Sequence, residues 1–218
     1  MMSLIRFWRD EVGGPLVEAA IVVPIFLLFA FGSVDFLYGY YQWTAATKAV
    51  EVGARLAAVS DPVASGLNTI PAGALSSTVF LGDPMPDFEV TCSGAGAGTC
   101  TCTRGTCTGF GAYSATAMNT LLFGRGSSRC DDATLYYQAG MCDILRQITA
   151  ANVKVVYSQT GLGFAGRAAG PVPTITVSLQ GLNFHFLFLN GLLGFADITM
   201  PPFATTITGE ALNSGAVP

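Results

Sequence analysis

The stretch GGPLVEAAIVVPIFLLFAFGSV, residues 13–34, decides how the chain is read. It is a membrane-grade apolar run with a single carboxylate, Glu18, just inside its first edge. An ionisable group in lipid costs on the order of 2.5–3.5 kcal/mol on insertion scales, so a carboxylate in such a place needs a functional reason. Before it, MMSLIRFWRDEVG carries Arg6 and Arg9 around Phe7 and Trp8, a basic and aromatic flank that marks the cytoplasmic side. After it, no charge occurs until Asp35, and FLYGYYQWTAAT then places Tyr38, Tyr40, Tyr41 and Trp43 where a distal aromatic belt belongs. A helix from Ala19 to about Tyr41 would span roughly 33 Å, enough for a hydrocarbon layer of ~30 Å. Asp35 falls at the distal interface and reads as a wet carboxylate on the helix surface, with a coupling site as the rival reading. A cleavable secretory signal, suggested by Ala30-Phe31-Gly32, fits poorly, because Glu18 interrupts its core and the apolar run continues past residue 32.

These residues resemble the TadE-like minor pseudopilins of tight-adherence (Flp-type) pili, relatives of the type IV pilins. In that family a basic leader ends at Gly, a prepilin peptidase cuts after it, Glu is fifth in the mature chain, and Pro follows six residues later. Here those positions are Gly13, Glu18 and Pro24. The resemblance extends through TKAVEVGARLAAVS and returns in VKVVY, TITVSL and FATTITGEAL, so that Phe7–Pro62 and Met141–Leu212 fit the pattern and Val63–Gly140 do not. It implies an α+β, pilin-like fold, in which a long N-terminal transmembrane helix packs on a small antiparallel sheet with a disulfide-rich loop insertion. It also implies a structural role in assembling or capping a pilus. The implied partners are the prepilin peptidase, other pilins or pseudopilins, the assembly platform and membrane lipid. The implied location is the bacterial inner membrane, single pass, with a cytoplasmic N-terminus, a periplasmic C-terminal domain and incorporation into a surface pilus. An uncleaved bitopic envelope protein with a periplasmic binding or adhesin domain is the alternative.

Between Gly13 and Gly14 as the cut site, chemistry favours Gly13. A cut after Gly14 would hydrolyse a Gly-Pro tertiary amide of fixed φ and leave Glu18 fourth. The ammonium freed at Gly14 could then pair with a neighbour's Glu18 in lipid and set register; the bland alternative is a Glu that snorkels to the headgroups. Pro24 removes the hydrogen bond to the Ala20 carbonyl and predicts a kink.

The expected organisation is a leader (1–13), the transmembrane part of the helix (14–43), its amphipathic continuation (44–60), an extracytoplasmic domain (61–212) and a flexible tail (213–218). In the continuation, Val50, Ala54 and Ala57 form an apolar stripe, and Glu51 and Arg55 an i,i+4 pair. Asp61-Pro62 ends the helix. From there to about residue 130, Ser, Gly, Thr and Pro dominate, which predicts a Cys-rich loop insertion with SGAGAG (93–98) its most flexible piece. A helix is expected over Ala133–Thr149. Strands are expected where Val153, Val155 and Tyr157, then Ile175, Val177 and Leu179, then Phe203, Thr205 and Ile207 alternate with polar residues. Such one-sided alternation belongs to an antiparallel sheet.

All six cysteines, Cys92, Cys100, Cys102, Cys107, Cys130 and Cys142, follow the apolar helix. In an oxidising compartment an even number reads as disulfides, with the pairing open. Metal ligation is the rival, but paired CxxC knuckles are lacking. A helix over 131–149 would hold Cys130 and Cys142 about 18 Å apart, so those two are expected not to pair unless it starts late.

LNFHFLFLNGLLGF (182–195) is apolar on both strand faces, Phe184, Phe186 and Phe188 on one and His185, Leu187 and Leu189 on the other, and Asn190-Gly191 signals a hairpin turn. Two apolar faces need two covers, which makes Phe186, Phe188, Leu187 and Leu189 candidates for contact with a partner subunit or lipid. His185, the lone histidine, has no acid nearby in sequence and reads as structural. Charged residues make up 11% of the chain with a net charge of −4, which excludes a basic nucleic-acid surface. No nucleophile, phosphate-loop or metalloprotease motif is present, and neither an enzyme activity, a cofactor nor a metal is expected.

Overall fold

The computed structural model describes residues 14–70, 79–131, 138–167, 170–194 and 197–214. They fall into two compact units, one built from the chain up to Tyr41 with Phe184–Ile198, the other from Gln42–Asn183 with Thr199 to the C-terminus. A single helix, Gly14–Ala58, runs unbroken through Pro24 and contributes to both. The leader lies outside the described residues.

In the second unit the helix supplies the expected stripe: Ala46, Ala49, Val50, Ala54 and Ala57 are buried, as are Leu56 and Ala58. The small side chains let other elements come close. A Cβ at Gly53 would lie 2.5 Å from the Met141 sulfur, so Met141 seats directly on the glycine. Glu51 pairs with Lys48 at 2.8 Å instead of with Arg55. That hydrogen bond and charge hold its carboxyl below the usual range, with a weaker field from Arg55. The pair is exposed and adds little stability.

The sheet has five antiparallel strands in the order β3-β2-β5-β6-β9: β2 (Phe88–Ser93), β3 (Thr99–Gly105), β5 (Val153–Ser158), β6 (Thr174–Leu179) and β9 (Phe203–Thr208). Three of these are the strands that alternation predicts. Val153, Val155, Tyr157, Ile175, Val177, Leu179 and Phe203 are buried, and the intervening residues are more exposed except at the end of β6, where Ser178 is also covered. Tyr157 is fully buried and its hydroxyl accepts the Val63 N–H at 2.9 Å. Trp43 on the helix meets Phe203 edge to face at 4.8 Å.

The region expected to be a loop insertion is corrected by β2 and β3. They form a hairpin across 93–98, and β2 lies inside the sheet between β3 and β5. Phe88, Val90 and Cys92 alternate inward there, a period that the surrounding Gly, Ser and Thr obscure. Gly98 needs both its positive φ of 78° and its missing Cβ, which would fall inside the Tyr113 ring. A further helix, Ala115–Phe123, starts at Ser114, whose hydroxyl accepts the Ala117 N–H. Two short antiparallel pairs complete the fold: β1 (Ala64–Ser65) with β4 (Ala112–Tyr113), and β7 (Asn183–Phe184) with β8 (Ile198–Thr199).

The cysteines are joined as Cys92–Cys100, Cys102–Cys107 and Cys130–Cys142. The first bridges facing residues of β2 and β3. The third corrects the expectation that Cys130 and Cys142 stay apart. Among the described residues only Met141–Ile144 is helical in that region, so the helix starts late and the two Cα atoms come to 5.6 Å. Residues 132–137, including Leu135, lie outside the described residues. Asp143 organises the turn by accepting the Asp131 N–H at 2.6 Å and the Gly140 N–H at 2.7 Å.

The C-terminal end of the long helix is closed by distant chain. The Ala58 carbonyl accepts N–H bonds from Glu210 and Ala211, and Arg125 donates to the Val59 carbonyl and the Ser60 hydroxyl. Asp61 and Ser214 exchange two hydrogen bonds, which fixes the chain up to Ser214. Last-turn carbonyls lack intrahelical donors, and a cation there also meets the negative end of the helix dipole.

Candidate membrane and assembly segment

Gly14 opens the helix in free space, and Gly13 lies outside the described residues. Glu18 is exposed and has no hydrogen-bond or ion-pair partner among the described residues. Around it the helix is bare: Leu16, Ile21, Val22, Ile25, Phe26 and Phe29 are all more than half exposed. The mean hydropathy of its best 18-residue window is 2.3, and that window is 6% buried. The segment is compatible with a single-pass membrane anchor. Chemically it offers one unsatisfied carboxylate on an apolar rod, which suits pairing with a cation in the same layer.

Asp35 departs from the wet-surface reading. It is 0% exposed, and its carboxylate accepts the backbone N–H groups of Leu187 (2.8 Å), Phe188 (3.2 and 3.1 Å) and Leu189 (2.8 Å). Those amides begin a short helix, Leu189–Leu193, which replaces the expected hairpin turn at Asn190-Gly191. The strand ahead of it is also shorter than alternation suggests, covering only Asn183–Phe184. The physical reason is local. With three successive N–H groups directed at one carboxylate, residues 187–189 cannot also pair with a neighbouring strand.

Aromatic packing fixes the same contact. Phe188 stacks on Phe31 at 4.8 Å, and Phe184 lies 6.3 Å from Tyr38 and 4.8 Å from Phe186. A Cβ at Gly39 would approach the Phe184 ring to 3.1 Å, so that glycine makes room for it. Of the interface candidates, Leu187 (54%) and Phe188 (41%) are exposed, whereas Phe186 and Leu189 are half-buried. His185 is not without an acid: its Nδ1 lies 2.8 Å from Asp197, twelve residues on. An open apolar groove of about 610 Å³ runs beside the loop, lined by Leu28, Phe29, Gly32, Phe36, Leu37 and Leu189. Ser33, which also lines it, turns its hydroxyl back to the Ala30 carbonyl.

The sequence marks Asp35 only as an interfacial carboxylate and shows neither its amide partners nor the roles of Gly39 and Asp197. Backbone amides are invisible in a sequence, and a glycine in a helix of this composition draws no notice. An acid twelve residues from the only histidine in a loop of otherwise uncharged residues was the one available signal.

Residues 16–55 match the model of a family described as TadE-like protein. The match takes in Glu18, Pro24 and Asp35 and agrees with the resemblance carried by the N-terminal residues. No curated protein and no solved structure matches the chain.

Proposed function

We propose that this TadE-like chain is a minor pseudopilin, a structural subunit that helps assemble or cap a tight-adherence pilus after its leader is cut at Gly13. The observation that carries the reading is Glu18, a carboxylate without a partner among the described residues, on an exposed apolar helix inside the family-matched segment. Before assembly the helix holds the protein in the inner membrane, with the disulfide-bonded domain on the periplasmic side. During assembly, lipid around residues 16–34 is exchanged for the helices of neighbouring pilins. The Gly14 ammonium of one subunit then neutralises Glu18 of another, which removes two charges from the apolar layer and fixes the axial register. The prepilin peptidase, other pilins and the assembly platform are the partners this requires.

Glu18→Ala tests the assembly role. The variant is expected to insert and to fold with its three disulfides, because nothing in the described structure uses that carboxylate, yet to be depleted from sheared pili. Normal pilus content and normal adhesion in Glu18→Ala cells would contradict the proposal and favour an uncleaved bitopic envelope protein.

A further inference from the structure

We propose that the described residues of the loop between His185 and Ile198 (185–194 and 197–198) enter the outer leaflet beside the membrane helix, as a second lipid contact held in place by Asp35. The inference rests on the membrane reading of the helix and adds an element that the reading does not contain.

Depth is the first argument. At ~1.5 Å per residue, Leu28 and Leu37 stand roughly 21 and 35 Å along the axis from Gly14, which brackets the far edge of a ~30 Å hydrocarbon layer. The loop is built against this same stretch, through Phe31 and Asp35. If the helix spans the bilayer from Gly14, the loop is carried to the outer acyl and headgroup boundary.

Backbone chemistry is the second. Irregular chain survives at membrane depth only where its polar groups are satisfied within the protein. The N–H groups of Leu187, Phe188 and Leu189 are all taken by Asp35, and the Gly194 N–H closes on the Asn190 carbonyl at 2.9 Å. A buried carboxylate is an expensive way to hold a loop in water, where those amides could be solvated. In lipid it removes three exposed donors at once.

Side-chain chemistry is the third. Between Arg167 and Glu210 the only ionisable residues are His185 and Asp197, and they face each other at 2.8 Å at the two ends of the loop. Among the described residues, Leu187 and Phe188 are exposed between them, and Ile198 follows Asp197 with 55% exposure. The groove between Leu189 and the helix continues the bare helix surface and is wide and apolar enough to take an acyl chain.

The test is tryptophan quenching by phospholipids brominated along the acyl chain, using full-length protein in liposomes and a Trp8→Phe, Trp43→Phe background. Leu187→Trp should lose most of its emission, whereas Leu81→Trp, exposed in the other unit, should keep it. Phe29→Trp reports the helix itself. Quenching of Phe29→Trp without quenching of Leu187→Trp would overturn the loop proposal alone, and so would a Leu187→Trp emission that responds to protein dilution but not to brominated lipid, since a second copy would then cover the loop. Loss of quenching at both positions would overturn the membrane reading beneath it. Photoreactive phospholipid applied to the unsubstituted protein gives an independent readout: label on peptides from 185–198 is expected, and label confined to 16–43 would contradict the proposal.

Discussion

Asp35 is a helix residue whose work is done on another segment. Its carboxylate organises the amides of three consecutive residues, so its removal takes away the acceptor of three part-buried donors. Asp35→Leu is expected to speed hydrogen exchange at Leu187–Leu189 by on the order of tenfold or more, because unmade hydrogen bonds of this kind are costlier than the net worth of made ones. Asp35→Asn, with one acceptor oxygen, should fall between. Unchanged exchange in both variants would show that the loop is held by aromatic packing, Phe188 on Phe31 and Phe184 beside Tyr38, without the carboxylate. Tyr157 offers a second residue-scale test. Burial pushes its phenol well above the ordinary value, against a smaller lowering by the Val63 N–H. The folded pKa therefore exceeds the unfolded one, so this stabilisation is complete below about pH 10 and falls as pH rises above it, when the unfolded chain loses the proton first. Tyr157→Phe should flatten the alkaline loss of stability in thermal melts while lowering stability at neutral pH by about 1–3 kcal/mol, since the Val63 N–H loses its acceptor.

At the scale of elements, the long helix and the strands β5, β6 and β9 could be read directly, the helix from its long apolar run and each strand from an alternation that its own residues display. β2 could not. Its Phe88, Val90 and Cys92 alternate just as well, but the element sits in a Gly- and Thr-rich region whose composition argues for loop, and its place inside the sheet depends on long-range pairing with β5. The late start of the helix at Met141 has a local cause: it is set by Asp143 capping Gly140, an interaction no periodicity shows. Its consequence is a disulfide map that is local throughout, with partners 8, 5 and 12 residues apart. Such short loops contribute about 2–3 kcal/mol each on the chain-entropy model. Non-reducing digestion should recover Cys130 linked to Cys142, and alkylation of the unreduced, denatured protein should add no mass. A link from Cys130 to any other cysteine would refute the late helix start. Arg125 is the element-scale counterpart of Asp35, since it closes a helix end 66 residues away in sequence. Arg125→Met, which keeps the stem and removes the donors, should lower the stability of the disulfide-bonded unit by about 1–3 kcal/mol in a thermal melt.

For the whole molecule, the proposed function requires the apolar helix to take two sets of neighbours, lipid before assembly and other helices after it. The features that bear on this were unequally visible. The Gly13, Glu18 and Pro24 spacing stands in the sequence, and the bare surface around Glu18 follows from its composition. The packing of Phe184 and Leu187–Leu189 onto the helix does not, because it is carried by backbone amides and by a glycine that admits a ring.

The central claim is that the mature chain begins at Gly14, which places Glu18 fifth and supplies the ammonium its carboxylate needs. The most direct measurement is the intact mass and N-terminal sequence of the protein isolated from cells that carry the prepilin peptidase. The account predicts a chain lacking residues 1–13, with the three disulfides intact. Recovery of Met1, or a start at Ser33, would contradict it.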